Sequence, residues 1–319
     1  MWAWLHDFLK ERFLYTPVIE DGILHLGELM LLTGPSESGK SYMALQLALE
    51  LATAGSFFGH DIPNEFRVAV AQAEVAEGEV QKRLSRLVQG YPDLSEKMIA
   101  LYNANDMKLT DGDGYQRFAT FVQEVQPHVV IVDPLRAYFA GDENDSAVGE
   151  AFFSALQTAQ RLTEMPWAFI GIHHVRKPSM DAFGSDGKYA ARGSGIWTDR
   201  PSTVLGLAAN TSQNRWKLSY LKTRGRSTHP PDQELYVDSE TGLFECLLDD
   251  GRATRMATIL QLLPATPIQY ETLRQRIVQQ FGVSEREVHR WMAEAERAGI
   301  VVRERDPLNK SRKLVRRKE

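Results

Sequence analysis

The stretch Gly34-Pro35-Ser36-Glu37-Ser38-Gly39-Lys40-Ser41 decides how the rest of the chain is read. It has the spacing G-x-x-x-x-G-K-S. It follows the apolar run Leu29-Met30-Leu31-Leu32-Thr33, which reads as a buried strand, and opens the Leu- and Ala-rich stretch from Tyr42 to Ala54, which reads as a helix. Glycines at 34 and 39 let the backbone turn successive N–H groups inward at the positive end of that helix, building a nest for an anion. A triphosphate fits such a nest. Lys40 then sets a compact ammonium between the β- and γ-phosphates, and the Ser41 hydroxyl is short enough to ligate Mg²⁺. Residues Gly34 to Tyr42 are therefore the expected ATP cradle.

Outward from the loop, apolar runs end in charged or polar residues. Val68-Ala69-Val70-Ala71-Gln72 reads as a second buried strand with Glu74 just past its tip. Glu74 is preferred as the general base over Glu77 and Glu79, whose place is the first turn of the next helix, where the macrodipole favours acids. Ile99 to Tyr102 is a shorter strand, and a helix is expected over about Gly114 to Val125. The β-branched run Val129-Val130-Ile131-Val132 ends in Asp133, and a carboxylate there organises the metal opposite Ser41. Leu135 to Gly149 reads as an acidic loop and Glu150 to Glu164 as a helix.

The strand Trp167 to Ile172 ends in His173-His174. Adjacent residues on an extended chain point to opposite sides, so a shared metal is a poor reading. One of the two is expected to sense the γ-phosphate or the attacking water; either histidine could be the one, and His174 is taken as the catalytic candidate. The polar loop from Arg176 to Arg192 carries Lys177, Lys188 and Arg192. Strands are expected at Thr203 to Ala208 and Arg215 to Leu221, then at Glu234 to Val237 and Leu243 to Leu247. Lys222 and Arg224, two residues apart on extended chain, project from one side.

The bulk composition sets outer bounds. With 319 residues, 43% hydrophobic and 25% charged, the chain has material for one large and one small domain, and no apolar run approaches the ~20 residues of a membrane span. The first residues, Met1-Trp2-Ala3-Trp4-Leu5-His6-Asp7, lack a secretory pattern, and the single Cys246 excludes an intrachain disulfide. A cytoplasmic location is expected. Trp2, Trp4, Phe8 and Phe13 make residues 1–27 a packing segment. Net charge is -5, yet from Arg303 onward eight Lys/Arg face three acids.

From Arg252 the pattern turns helical, with helices expected over Ala253 to Leu263 and Tyr270 to Phe281. Ser284 and Glu287 form a capping box, and the helix they start should bury Val288, Trp291, Met292 and Ala295. Two strands, Ile300 to Arg305 and Arg312 to Arg316, would form a basic hairpin. Three helices and a hairpin make a winged helix over residues 251–319, which could dock DNA or protein. Its DNA-facing candidates are Arg286, Arg290, Arg303, Arg312 and Lys313.

Together, Gly34 to Ser41, Glu74, Asp133, His173-His174, Arg192-Gly193-Ser194 and Lys222-x-Arg224 resemble the RecA-like ATPases, and among them the hexameric replicative helicases of the RepA and DnaB type. The resemblance runs over about Leu24 to Val237. It implies an α/β fold, a mostly parallel sheet flanked by helices over residues 28–250, and a ring with ATP between subunits. Lys222 and Arg224, with Arg192 a further candidate, would then reach a neighbour's γ-phosphate. Lys177, Lys188 and Arg192 would face single-stranded DNA in the channel. The acidic run Gly141-Asp142-Glu143-Asn144-Asp145 departs from that pattern, and the alternative is a non-translocating RecA- or KaiC-like regulator or recombination mediator.

Overall fold

The computed structural model describes residues 15–92, 94–103, 107–163, 165–174, 195–226, 230–247, 259–264, 266–283, 285–297, 300–305 and 313–317. Two short strands, β1 (Pro17–Ile19) and β2 (Leu24–His25), pair as a hairpin and feed β3 (Leu29–Gly34), the strand before the glycine-rich loop. The helix after the loop, α1, runs Lys40–Ala52. A small hairpin follows, β4 (Ser56–Phe57) with β5 (His60–Asp61), then β6 (Val68–Gln72), α2 (Glu77–Leu87), β7 (Ile99–Asn103), α3 (Gly114–Val125) and β8 (Val129–Asp133). Beyond these come α4 (Ser146–Leu162), β9 (Ala168–His174), the one-turn α5 (Ile196–Asp199), β10 (Thr203–Asn210), β11 (Arg215–Thr223), β12 (Gln233–Val237) and β13 (Phe244–Cys246).

Nine of these strands form one sheet in the order β13-β12-β11-β10-β3-β9-β8-β6-β7. The strands from β10 across to β7 are parallel, and β11, β12 and β13 continue the sheet antiparallel. Parallel strands covered on both faces need side chains that tolerate burial on either side, which is why β8 reads Val-Val-Ile-Val and is buried throughout. One face packs on α1 through Leu32, Val70, Ile131 and Ile170; the other packs on α3 and α4 through Ala69, Val130, Phe152 and Phe169.

The antiparallel end of the sheet closes back onto α1. β13 is an edge strand, and the outward N–H and C=O of Phe244 meet the side-chain amide of Gln46, at 2.7 and 3.0 Å. That amide serves as a substitute strand for the edge. On the far side, the Arg86 guanidinium of α2 donates to the carbonyls of Ser239 and Glu240 in the β12–β13 turn.

Helix α4 begins four residues before the expected Glu150, and the acidic loop is correspondingly shorter. The cause is Asp145, whose carboxylate accepts from the Ala147 N–H at 2.8 Å and caps the helix. Asp142, earlier in that turn, accepts from the Asn144 backbone and side chain. The short strands β1, β2, β4 and β5 have no counterpart in the sequence reading, because each is too brief for a periodic signal.

A second group of elements follows: β14 (Ile268–Gln269), α6 (Tyr270–Phe281), α7 (Glu285–Arg297), β15 (Val301–Arg305) and β16 (Lys313–Arg317). The strands form a sheet in the order β14-β16-β15. Its core joins Leu273 and Ile277 of α6 to Val288, Met292 and Ala295 of α7, with Val301 and Val315 from the strands. The expected N-terminal packing segment through residue 14, the polar loop 176–192, the start of the helix expected from Ala253, and Ser284 of the capping box lie outside the described residues. Among the described residues, no helix is long and apolar enough to cross a membrane.

Candidate active site

The loop after β3 is held open from below. A Cβ on Gly34 would sit 2.4 Å from the Leu207 carbonyl oxygen of β10, so only glycine lets the chain leave the strand at this angle. Gly39 has φ +88° and would bring a Cβ within 2.9 Å of the Phe244 ring. Trp216 of β11 completes this floor: its indole N–H donates to the Ser38 carbonyl at 3.0 Å, and its ring meets Phe244 edge to face. Pro35 is half-buried, Ser36 and Glu37 are exposed, Ser38 is buried, and the Tyr42 ring lies under the Arg83 guanidinium at 5.0 Å.

Lys40 is 4% exposed, and its ammonium curls into the loop, donating to the Pro35 carbonyl at 2.6 Å and to Ser38 Oγ at 3.4 Å. Burial pushes its pKa down to about 8, against the pull of Asp133 and Glu74, which favour the charged form. A buried ammonium in the first turn of α1 suits an anion. Asp133 is 3% exposed at the tip of β8, and its carboxyl is raised by burial, with hydrogen bonds from Ser41 and Gln72 opposing that shift. A hydroxyl and a carboxylate meeting beside an anion nest are hard oxygen donors, the set that Mg²⁺ takes. Ser41 and Asp133 therefore fit a Mg²⁺·ATP complex.

Glu74 and His174 stand at the tips of β6 and β9, with His174 Nε2 3.8 Å from Glu74 Oε2. Because β9 lies between β3 and β8, His174 is level with Gly34 across the parallel pair. His173 points the other way, into the core, where it stacks on Trp197 at a centroid distance of 5.6 Å. Of the two histidines, the one beside the loop and the acids is thus His174. Glu77 and Glu79 occupy the first turn of α2, with Glu79 accepting from Arg83.

The remaining candidates are elsewhere. Lys222 donates to the carbonyls of Thr198 and Asp199 at 2.7 and 2.6 Å, and the Arg224 guanidinium donates to the Asp199 carbonyl as well. Both lie at the end of the sheet away from the loop: Arg224 N–H bonds Ser202, whose N–H bonds Leu29 at the start of β3. Five residues of strand at ~3.3 Å each separate that level from Gly34, about 16 Å. The structure does not bring them to this chain's own site. Arg303, read from sequence as a DNA contact, is instead half-buried, paired through two nitrogens with Glu296 and resting 5.5 Å from the Tyr270 ring. That pair ties α7 to β15 within the C-terminal group of elements. Lys313 is exposed on β16. Lys177, Lys188, Arg192 and Arg312, and the side chains of Arg286 and Arg290, lie outside the described residues.

Sequence reasoning missed Gln72, Trp216 and Phe244. The first could have been found, since Gln72 ends its apolar run as Asp133 ends its own, and the two are direct partners across β6 and β8. Trp216 and Phe244 carried no local signal, because they reach the loop only through the closure of the sheet.

None of the curated proteins compared with this chain matches it. A family model described as an AAA domain matches residues 3–180, a span that contains the loop, Glu74, Asp133 and both histidines. With more than half its length matched and a P-loop site assembled on a mostly parallel sheet, the chain belongs to the AAA domain family, in the RecA-like group of P-loop ATPases.

Proposed function

We propose that the protein is a Mg²⁺-dependent ATP hydrolase that works as a ring of identical subunits on DNA, in the manner of plasmid, phage or mobile-element helicases. Lys40 and the loop amides hold the phosphates, Ser41 and Asp133 hold the metal, Glu74 takes the proton of the attacking water, and His174 links that water to the strand tip. Mg²⁺, when bound by Ser41 and Asp133, would supply charge neutralisation to the phosphates.

The observation that carries assembly is the separation of the basic pair Lys222 and Arg224 from their own loop by about 16 Å, estimated from strand rise. A head-to-tail contact would bring that edge of one subunit to the loop of the next. A cation completing a neighbour's site is worth ~10³-fold or more in related NTPases. Mixing Arg224→Ala with Glu74→Gln subunits tests this: each variant alone should be inactive, and the mixture should regain part of the activity at interfaces that unite an intact Glu74 with an intact Arg224. No recovery at any ratio would refute action in trans.

We read the small C-terminal group of elements as a winged helix over residues 251–319 that meets duplex DNA, with single-stranded DNA engaged by the channel loops; the large domain then spans residues 28–250. The exposed acid Asp142, in the turn after β8, favours a second reading in which the ATPase binds DNA without translocating. A strand-displacement assay separates the two, since only the first reading yields released single strands that depend on ATP.

A further inference from the structure

Gln72 has no role in the reading above, yet its side-chain amide touches both the Asp133 carboxylate and the backbone N–H of Glu74. It is 8% exposed at the tip of β6. Its Nε2 donates to Asp133 Oδ2 at 3.1 Å. Its Oε1 accepts from two backbone N–H groups, those of Ala73 at 3.0 Å and Glu74 at 3.1 Å. The strand beyond the tip is tied in turn, because the Ala73 N–H lies 3.0 Å from the Asp133 carbonyl.

We propose that Gln72 is a positioning residue for hydrolysis, fixing the metal-organising carboxylate of Asp133 and the backbone that carries Glu74 in one rigid unit. The inference rests on the ATPase reading and deepens it. Gln is suited to the task because it is neutral and two-ended. A carboxylate in its place would set a second anion about 3 Å from Asp133 inside a buried site, where like charges repel strongly. An apolar side chain would leave the Asp133 oxygen and the strand-tip amides without the partner they have now. The donor end holds Oδ2 of Asp133, a carboxylate that Ser41 also hydrogen-bonds. The acceptor end sets the turn at Ala73 and Glu74, so that Glu74 leaves the strand toward the loop and His174. A shift of about 1 Å in a base can cost ~10²-fold, so a side chain that reaches no substrate can still govern turnover.

The test uses the full chain and Gln72→Met, which keeps the length and unbranched shape while removing both polar ends. Three quantities are read: kcat and KM for ATP, the affinity of a fluorescent ADP without metal, and the factor by which Mg²⁺ tightens that ADP. The expected result is a kcat at least ~10-fold lower, with KM raised by no more than the loss in the Mg²⁺ factor, since the main effect is on the reacting geometry. Metal-free ADP affinity should be unchanged, while the Mg²⁺ factor falls several-fold. An unchanged kcat overturns the proposal. So does a parallel loss of kcat and metal-free ADP affinity, which would mean only a loosened fold. Gln72→Asn keeps the amide but is too short to span both partners, and it is read by the same criteria if the Met variant fails to fold. Wild-type turnover with a dead Lys40→Ala control shows that the ATPase reading stands; absence of wild-type ADP binding overturns both together.

Discussion

Raising the pH should loosen the grip of the loop on nucleotide, by an amount that the surroundings of Lys40 set. Its ordinary value of 10.5 falls to about 8 in the free protein, because the ammonium is buried against backbone and only partly offset by Asp133 and Glu74. Bound phosphates restore the charged form, so above pH 8 binding must recruit a proton. Each pH unit beyond the free value then weakens binding about tenfold, until the ordinary value is reached. From about pH 7.5 to about pH 9, ADP affinity should drop close to tenfold, with nearly one proton taken up per ADP at the upper end. Titration calorimetry in buffers of different ionisation heat measures both quantities, and ADP avoids most of the phosphate's own titration. The sign for stability is opposite. Between about 8 and 10.5 the unfolded chain holds a proton that the folded chain has released, so the ligand-free protein gains stability as pH rises through that window. An ADP affinity flat from about pH 7.5 to about pH 9, with no proton uptake, would refute the argument that burial controls this lysine.

Three further outcomes follow from named contacts. Glu74→Gln should keep nucleotide binding and lose at least ~10²-fold in turnover, while Glu77→Gln leaves turnover near wild type; the reverse pattern in single-turnover assays would move the base to Glu77. Gln46→Leu strips both outward groups of Phe244, each costing ~1–3 kcal/mol when left buried and unpaired, so urea unfolding should show a loss of about 2–4 kcal/mol together with faster exchange of the Phe244 amide; a change within ~0.5 kcal/mol would show that the edge does not need it. Arg303→Ala should lower the unfolding midpoint of the C-terminal group by breaking its half-buried pair with Glu296, whereas Lys313→Glu should leave the midpoint alone and weaken duplex binding with a smaller salt slope; equal effects of the two on DNA would contradict their different surroundings.

Much of the nine-stranded sheet was legible in the sequence because its strands are continuous apolar runs ended by a polar residue, a pattern that survives without knowledge of neighbours. Val129 to Asp133 and Gly114 to Val125 fall at their expected ends. Helix α4 did not, since its start is set by one capping aspartate inside a run of acids that otherwise reads as loop. At the site, the motif named the groups that would touch phosphate. It could not name the floor beneath them, because Trp216 and Phe244 arrive from strands whose place depends on the curl of the whole sheet. The surroundings of Arg303 were hidden for a related reason: a basic residue in a basic tail looks unpaired until its partner Glu296 is seen.

The position of β3 in the sheet also bears on how the protein is made. Its neighbours on either side are β9 and β10, so Thr33 is flanked by His173 and Gly206, residues that leave the ribosome long after it. Until then both edges of the strand that carries the loop are bare, which is a slow and aggregation-exposed arrangement for a nascent chain. A chain stopped at residue 180, where the matched family span ends, would hold every residue of the motif. It would still lack β10 beside the loop, and Trp216 and Phe244 beneath it. Ligand-dependent protection of the nascent chain is therefore expected only once β13 has emerged from the ribosome.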